Sequence, residues 1–183
     1  FSKKIGLWRE LRFEKIKTAE SVLAGLIGGA VIMLLDTFVF SAGAEPEAIK
    51  ESLLSSLTPS SIIASFTYGG IIEEVMMRLF LMSLLALLLW KLFFRREEAA
   101  PASVLIISNV VVAILFAASH LPATAVSIGL TTIIVLRCFV LNGSMGVIFG
   151  RAYRMHGIQY AMLAHIFAHV GMKILGLLVA VLI

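Results

Sequence analysis

The chain has 183 residues, of which 60% are hydrophobic and 14% charged, with a formal net charge of +4, and its mean hydropathy is +1.03. That balance excludes an ordinary soluble domain and leaves an integral membrane protein. At roughly 20 residues per span there is room for about four to six membrane helices, so the expected fold is all-α: one polytopic transmembrane bundle of about five spans, a single membrane domain over residues 1–183.

The segment Phe1 to Lys17 mixes six basic residues with Ile5, Leu7, Trp8, Leu11, Phe13 and Ile16. This suits a basic amphipathic helix lying among lipid headgroups, preferred over a nucleic-acid arm. No signal-peptide core and cleavage site follow it, so no cleaved signal is expected. Span one is expected over about Ala19 to Phe40, where Gly25 and Gly29 have the small-xxx-small spacing that lets helices approach closely. The loop from Ser41 to Pro59 carries Glu45, Glu47 and Glu51 against Lys50. Span two, about Ser60 to Phe94, is followed by Arg95 and Arg96. Span three, about Ala102 to His120, is expected to stop at Pro122. Span four, about Thr124 to Tyr153, carries Gly143, Gly146 and Gly150, and span five fills Ile158 to Ile183. Basic residues collect before span one, after span two and after span four, so the positive-inside rule predicts a multi-pass cell-membrane protein with a cytoplasmic N-terminus. The chain's one cysteine, Cys138, can build neither a disulfide nor a thiolate metal site within one chain and reads as a small core hydrophobe. No low-complexity tract or internal repeat is evident.

The ionisable inventory of the spans is short. Asp36 is the only aspartate, Glu73 and Glu74 are the only glutamates inside a span apart from Glu20 at the very edge of span one, and the four histidines are His120, His156, His165 and His169. Such groups cost about 2.5–3.5 kcal/mol each to insert, so they face a partner, a cavity or a reaction. On an α-helix Glu73 and Glu74 point about 100° apart and must do different jobs. Glu74 and Arg78 stand at i, i+4 with the acid first, the favoured order for a helical ion pair. Glu73 is then the acid left for chemistry, as a general base or proton carrier. A purely structural network of both acids with Arg78 is the competing reading. His165 and His169 share one helical face, a spacing that lets two imidazoles reach one metal ion or one water. The H-E-x-x-H motif is absent. His120, at the end of span three, can supply a third nitrogen to a point where several helices converge.

Three stretches, E-E-V-M-M-R at Glu73 to Arg78, F-A-A-S-H at Phe116 to His120 and A-H-I-F-A-H at Ala164 to His169, come in the order found in a known family. Together they resemble the CPBP intramembrane proteases, which include the type II CAAX prenyl endopeptidases. N-G-S-M-G-V-I-F-G-R-A-Y is similar to that family's glycine-bearing helix. The resemblance covers about Ser60 to Val170, so residues 60–183 form the protease-like core, while Phe1 to Pro59 matches no motif.

The resemblance implies Glu73 as catalytic glutamate, Glu74 and Arg78 as its supporting pair, and His120 and His165 as the two motif histidines. His169 falls where many members have asparagine. The implied reaction is peptide hydrolysis by water activated at Glu73. His120 and His165 then position that water or, with His169 and Glu73, hold zinc or another divalent metal; His169 and Arg78 help the oxyanion. Metal-dependent and metal-free forms both stay open. The implied partners are membrane lipids and a membrane-associated peptide or protein end, prenylated for part of the family, with no nucleic acid. Two other readings compete: a non-catalytic member with an immunity, anchoring or regulatory role, and a small ion or proton transporter using the same groups as a relay. Counted from the helix ends, Glu73 and His120 fall in the outer half and His165 nearer the basic end. Their convergence therefore needs long, tilted or offset helices.

Overall fold

The computed structural model describes residues 1–41 and 45–182. Ala42 to Ala44 of the first loop and Ile183 at the expected end of span five lie outside the described residues. Five helical stretches are long and apolar enough to cross a membrane: Lys15–Phe40, Pro59–Phe93, Ala102–Ile128, Thr132–His156 and Ile158–Leu182. No strand occurs among the described residues. The chain is an all-helical polytopic bundle.

Helix α1 (Lys15–Leu35) ends in a π-helical turn, Asp36–Phe40, and a short α2 (Pro46–Ser55) lies within the first loop. Span two begins as α3 (Pro59–Ala64), started by the Thr58 side chain accepting from the Ser61 amide. It then winds as π-helix over Ser65–Glu73 and Val75–Met82 before α4 (Ser83–Phe93). With 35 residues it is longer than an apolar core of about 30 Å requires.

Two boundaries differ from expectation. Pro122 does not end span three: α5 (Ala102–Ser119) stops at His120, and Pro122 sits in the first turn of α6 (Leu121–Ile128). There its missing N–H costs nothing, because first-turn amides have no intrahelical partner. The chain breaks at Gly129, whose φ of 76° favours glycine. Span four therefore starts later than Thr124, as α7 (Thr132–His156), with Thr131 Oγ1 accepting from the Ile134 amide. Gly157, at φ 112°, links α7 to α8 (Ile158–Leu182).

The expected interfacial helix over Phe1 to Lys17 does not form. Residues 2–6 make turns, the chain then runs without regular structure, and helix begins only at Lys15. Two of its apolar residues are drawn inward: Ile5 and Leu7 are buried with Trp90, Val104, Tyr153 and Ala161, while Phe1, Trp8, Leu11, Phe13 and Ile16 stay exposed. Its backbone is satisfied by side chains of α8. Gln159 Nε2 donates to the Glu10 and Arg12 carbonyls, Tyr160 Oη donates to the Arg12 carbonyl, and the Glu14 amide donates to Tyr160 Oη. Tertiary partners thus replace the helical ladder. The contacts also gather the N-terminal basic segment, the end of α4 and the α7–α8 junction at one end of the bundle.

Close approach is set by small residues. A Cβ on Gly25 or Gly29 would collide with the carbonyl oxygens of Ala164 and Ala168, so α1 and α8 meet backbone to backbone. Likewise a Cβ on Gly146 would lie 2.9 Å from that of Ala113, pressing α7 against α5. Asn109 fills the space beside Gly150 and donates to the Val147 carbonyl at 3.1 Å. Toward the other end, the lone aspartate finds a cation that sequence reading did not supply: Arg137 of α7 grips both carboxylate oxygens of Asp36, with Nη2 to Oδ2 at 2.6 Å.

Candidate active site

The π-helical stretch of span two carries Glu73, Glu74 and Arg78. Such winding is rare, and where it interrupts a helix it often marks a functional site. Glu74, the one residue between the two π segments, is fully buried, as is Arg78. Arg78 Nη1 donates to Glu74 Oε1 at 2.9 Å, the ion pair that the spacing predicts, and Nη2 donates to the Gly146 carbonyl at 3.0 Å. The guanidinium lies over the rings of Phe116 and Phe149, 4.7 and 5.5 Å from their centroids. Carboxylate, carbonyl and two aromatic faces together offset the cost of holding this cation inside the bundle.

Glu74 has a second partner. His165 Nδ1 donates to Glu74 Oε1 at 2.8 Å, across 91 residues of sequence. The carboxylate can only accept, so Nδ1 carries a hydrogen, and in the neutral ring Nε2 keeps its lone pair. His120 is fixed the same way: its Nδ1 donates to the Phe116 carbonyl at 2.8 Å, which again leaves a bare Nε2. Aromatic rings hold both imidazoles in place. Phe149 stacks on His165 at 4.2 Å, Phe116 meets His120 edge-on at 4.7 Å and His165 at 5.9 Å, and His169 stacks on His165 at 5.1 Å.

Glu73, half-buried, belongs to none of the ion pairs among the described residues. It lines a cavity of about 230 Å³ together with His120, His165 and His169. The offset expected from counting helix ends is thereby removed, since the long second span carries Glu73 to the level of His165. Gly69 lets the helices close around this point, for a Cβ there would lie 2.8 Å from His169 Nε2 and 3.7 Å from His165 Nε2. Arg78 does not line the cavity. Two of its N–H groups go to Glu74 and the Gly146 carbonyl, which makes it a support for Glu74.

Tyr68 and Asn142 also line the cavity and were missed from the sequence. Asn142 was visible as one of the chain's two asparagines, both inside spans, and falls under the same rule that singled out the ionisable groups. Its amide nitrogen donates to the Cys138 carbonyl at 3.1 Å and to Cys138 Sγ at 3.5 Å. His156, in contrast, stands apart, paired with Glu20 at 3.2 Å.

Chemically, the two bare imidazole nitrogens and the free carboxylate are suitable ligands for a zinc-like ion. Their positions are not: among the described residues no three His, Cys, Asp or Glu side chains are grouped closely enough to hold one.

Comparison with known proteins gives a family match. A family described as type II CAAX prenyl endopeptidase Rce1-like matches residues 55–171, well over half of the chain, and that range contains Glu73, Glu74, Arg78, His120, His165 and His169. No curated protein and no solved structure matches the chain. By that match, together with the helical bundle that carries it, the chain belongs to the type II CAAX prenyl endopeptidase Rce1-like family.

Proposed function

We propose that this chain is a glutamate-dependent intramembrane endopeptidase that cleaves a peptide bond near the end of a membrane-associated protein, prenylated CAAX-type ends included. The observation that carries the reading is the division between the two glutamates: Glu74 is consumed by Arg78 and His165, whereas Glu73 faces the cavity with no ion-pair partner. The family match supports an endopeptidase in general, and the residue roles are our own reading of the geometry.

Glu73 takes a proton from a water in the cavity as that water attacks the scissile carbonyl carbon, and returns it to the leaving amine. Either His120 or His165, each presenting a bare Nε2, accepts the water's one remaining hydrogen and so aims its lone pair. Neither can donate in that tautomer. The developing oxyanion is therefore left to a group that carries a hydrogen, His169 on the cavity wall, of the kind that stabilises tetrahedral intermediates. No step in this scheme requires a metal. The asparagine common at the His169 position in the resembling family performs the same donation.

With the basic end of the bundle on the cytoplasmic side of the cell membrane, the cavity opens in the half away from that end. Glu73→Gln, reconstituted in vesicles with prenylated and unprenylated peptides, is the test. Loss of all peptide release with unchanged thermal unfolding supports the reading, and wild-type turnover by that variant removes Glu73 from the mechanism.

A further inference from the structure

A larger cavity, of about 520 Å³, lies beside the first between α1 and α7. Its walls are apolar, including Ile27, Val31 and Ile148, and its open side faces the surroundings of two membrane-spanning helices. At the basic end of the bundle it becomes polar, lined by Ser21, Glu20, Arg151 and His156. Two atoms there lack partners. Ser21 is 3% exposed and its Oγ makes no hydrogen bond, and His156 Nδ1 is likewise buried and unpaired. A buried hydroxyl and a buried ring nitrogen left unsatisfied cost free energy unless something completes them.

We infer that this groove binds a glycerophospholipid, with one acyl chain between α1 and α7 and the phosphate and ester groups at Ser21, Arg151 and His156. A cavity of about 520 Å³ is of the size that takes one small apolar ligand, room for an acyl chain. Ser21 Oγ donates to an ester carbonyl, and Arg151 gives a phosphate the charged donors that suit it. His156 Nε2 is engaged by Glu20, which leaves Nδ1 as the ring atom that meets a headgroup. An apolar body with a polar, phosphate-bearing head is the combination that completes all these groups, and the bilayer supplies it. Ile32 and Met145 line both this groove and the catalytic cavity, so the lipid packs against the back of that wall. Binding here does not depend on catalysis.

The test is native mass spectrometry of the purified full chain in detergent, titrated with dioleoyl phosphatidylglycerol. Wild type should retain one lipid per chain. Arg151→Gln, at an exposed position, should weaken retention by roughly tenfold or more, the loss of one charge-assisted contact. Ala24→Phe, on the exposed wall of the groove, should abolish stoichiometric retention while leaving thermal unfolding unchanged. Equal retention by wild type and both variants overturns the proposal, placing the lipid elsewhere on the surface. It is also overturned if Ala24→Phe raises KM for a prenylated peptide without changing lipid retention, because the groove then belongs to the substrate.

Discussion

Replacing Glu74 by glutamine tests how the buried network works. Glu74 Oε1 accepts from Arg78 Nη1 at 2.9 Å and from His165 Nδ1 at 2.8 Å, with both charged partners of the ion pair no more than 1% exposed. Glutamine keeps the shape but removes the negative charge, leaving the guanidinium with the Gly146 carbonyl and two aromatic faces. Breaking a buried pair in this way costs about 3–5 kcal/mol. For a chain of this size that corresponds to a fall in melting temperature of roughly 6–20 °C. Activity should fall as well, because the carboxylate is what keeps the hydrogen on His165 Nδ1 and the lone pair on Nε2. In a Ser-His-Asp triad the equivalent loss of tautomer control lowers kcat about 10⁴-fold, and a drop of roughly 10²–10⁴-fold is expected here. Thermal unfolding in detergent and peptide release from vesicles measure the two effects on one preparation. Reversing the pair, Glu74→Arg with Arg78→Glu, should recover little of either, since neither His165 nor the Gly146 carbonyl regains its partner. Full stability of Glu74→Gln with activity alone lost would refute the ion-pair argument, and full activity with stability alone lost would refute the tautomer argument.

Gly29→Ala should destabilise by about 1–3 kcal/mol or more, because its Cβ meets a backbone carbonyl that cannot turn aside, whereas Gly143→Ala, 3.8 Å from the Ala117 Cβ, should be tolerated; urea or thermal unfolding in detergent compares them. Gly69→Ala should displace His169 and lower kcat with only a small loss of stability, and wild-type kcat in a folded Gly69→Ala protein would contradict the assigned cavity geometry. Metal analysis of active, purified protein should give well under one zinc per chain, with activity unchanged by chelators. Stoichiometric zinc lost in a His120→Ala and His165→Ala double variant would replace the metal-free scheme.

Hydropathy alone located the five spans to within a few residues at most ends, since length and apolarity are properties of each segment by itself. The glycine spacing of span one and the Glu74–Arg78 pair were legible for the same reason: both follow from helical periodicity. What escaped was decided between segments. Nothing local shows that Glu74 also serves His165, or that Arg137 answers Asp36, because each partner lies on another helix. The N-terminal segment was misread because its apolar residues were scored for a helical stripe, while Gln159 and Tyr160 offered its backbone other partners. Asn142 needed only the polar rule applied to amides. The π winding of span two has no evident signature in its residues.

The contact between α1 and α8 bears on where the candidate site ends and its support begins. Ala164 and Ala168, the residues met by Gly25 and Gly29, each immediately precede a cavity histidine, His165 and His169. The first helix therefore acts as a datum surface: it registers the histidine-bearing helix through main-chain atoms, which have no rotamers in which to drift. A shortened chain beginning at residue 55, where the family match starts, would keep every reactive group and lose the plane from which two of them are measured.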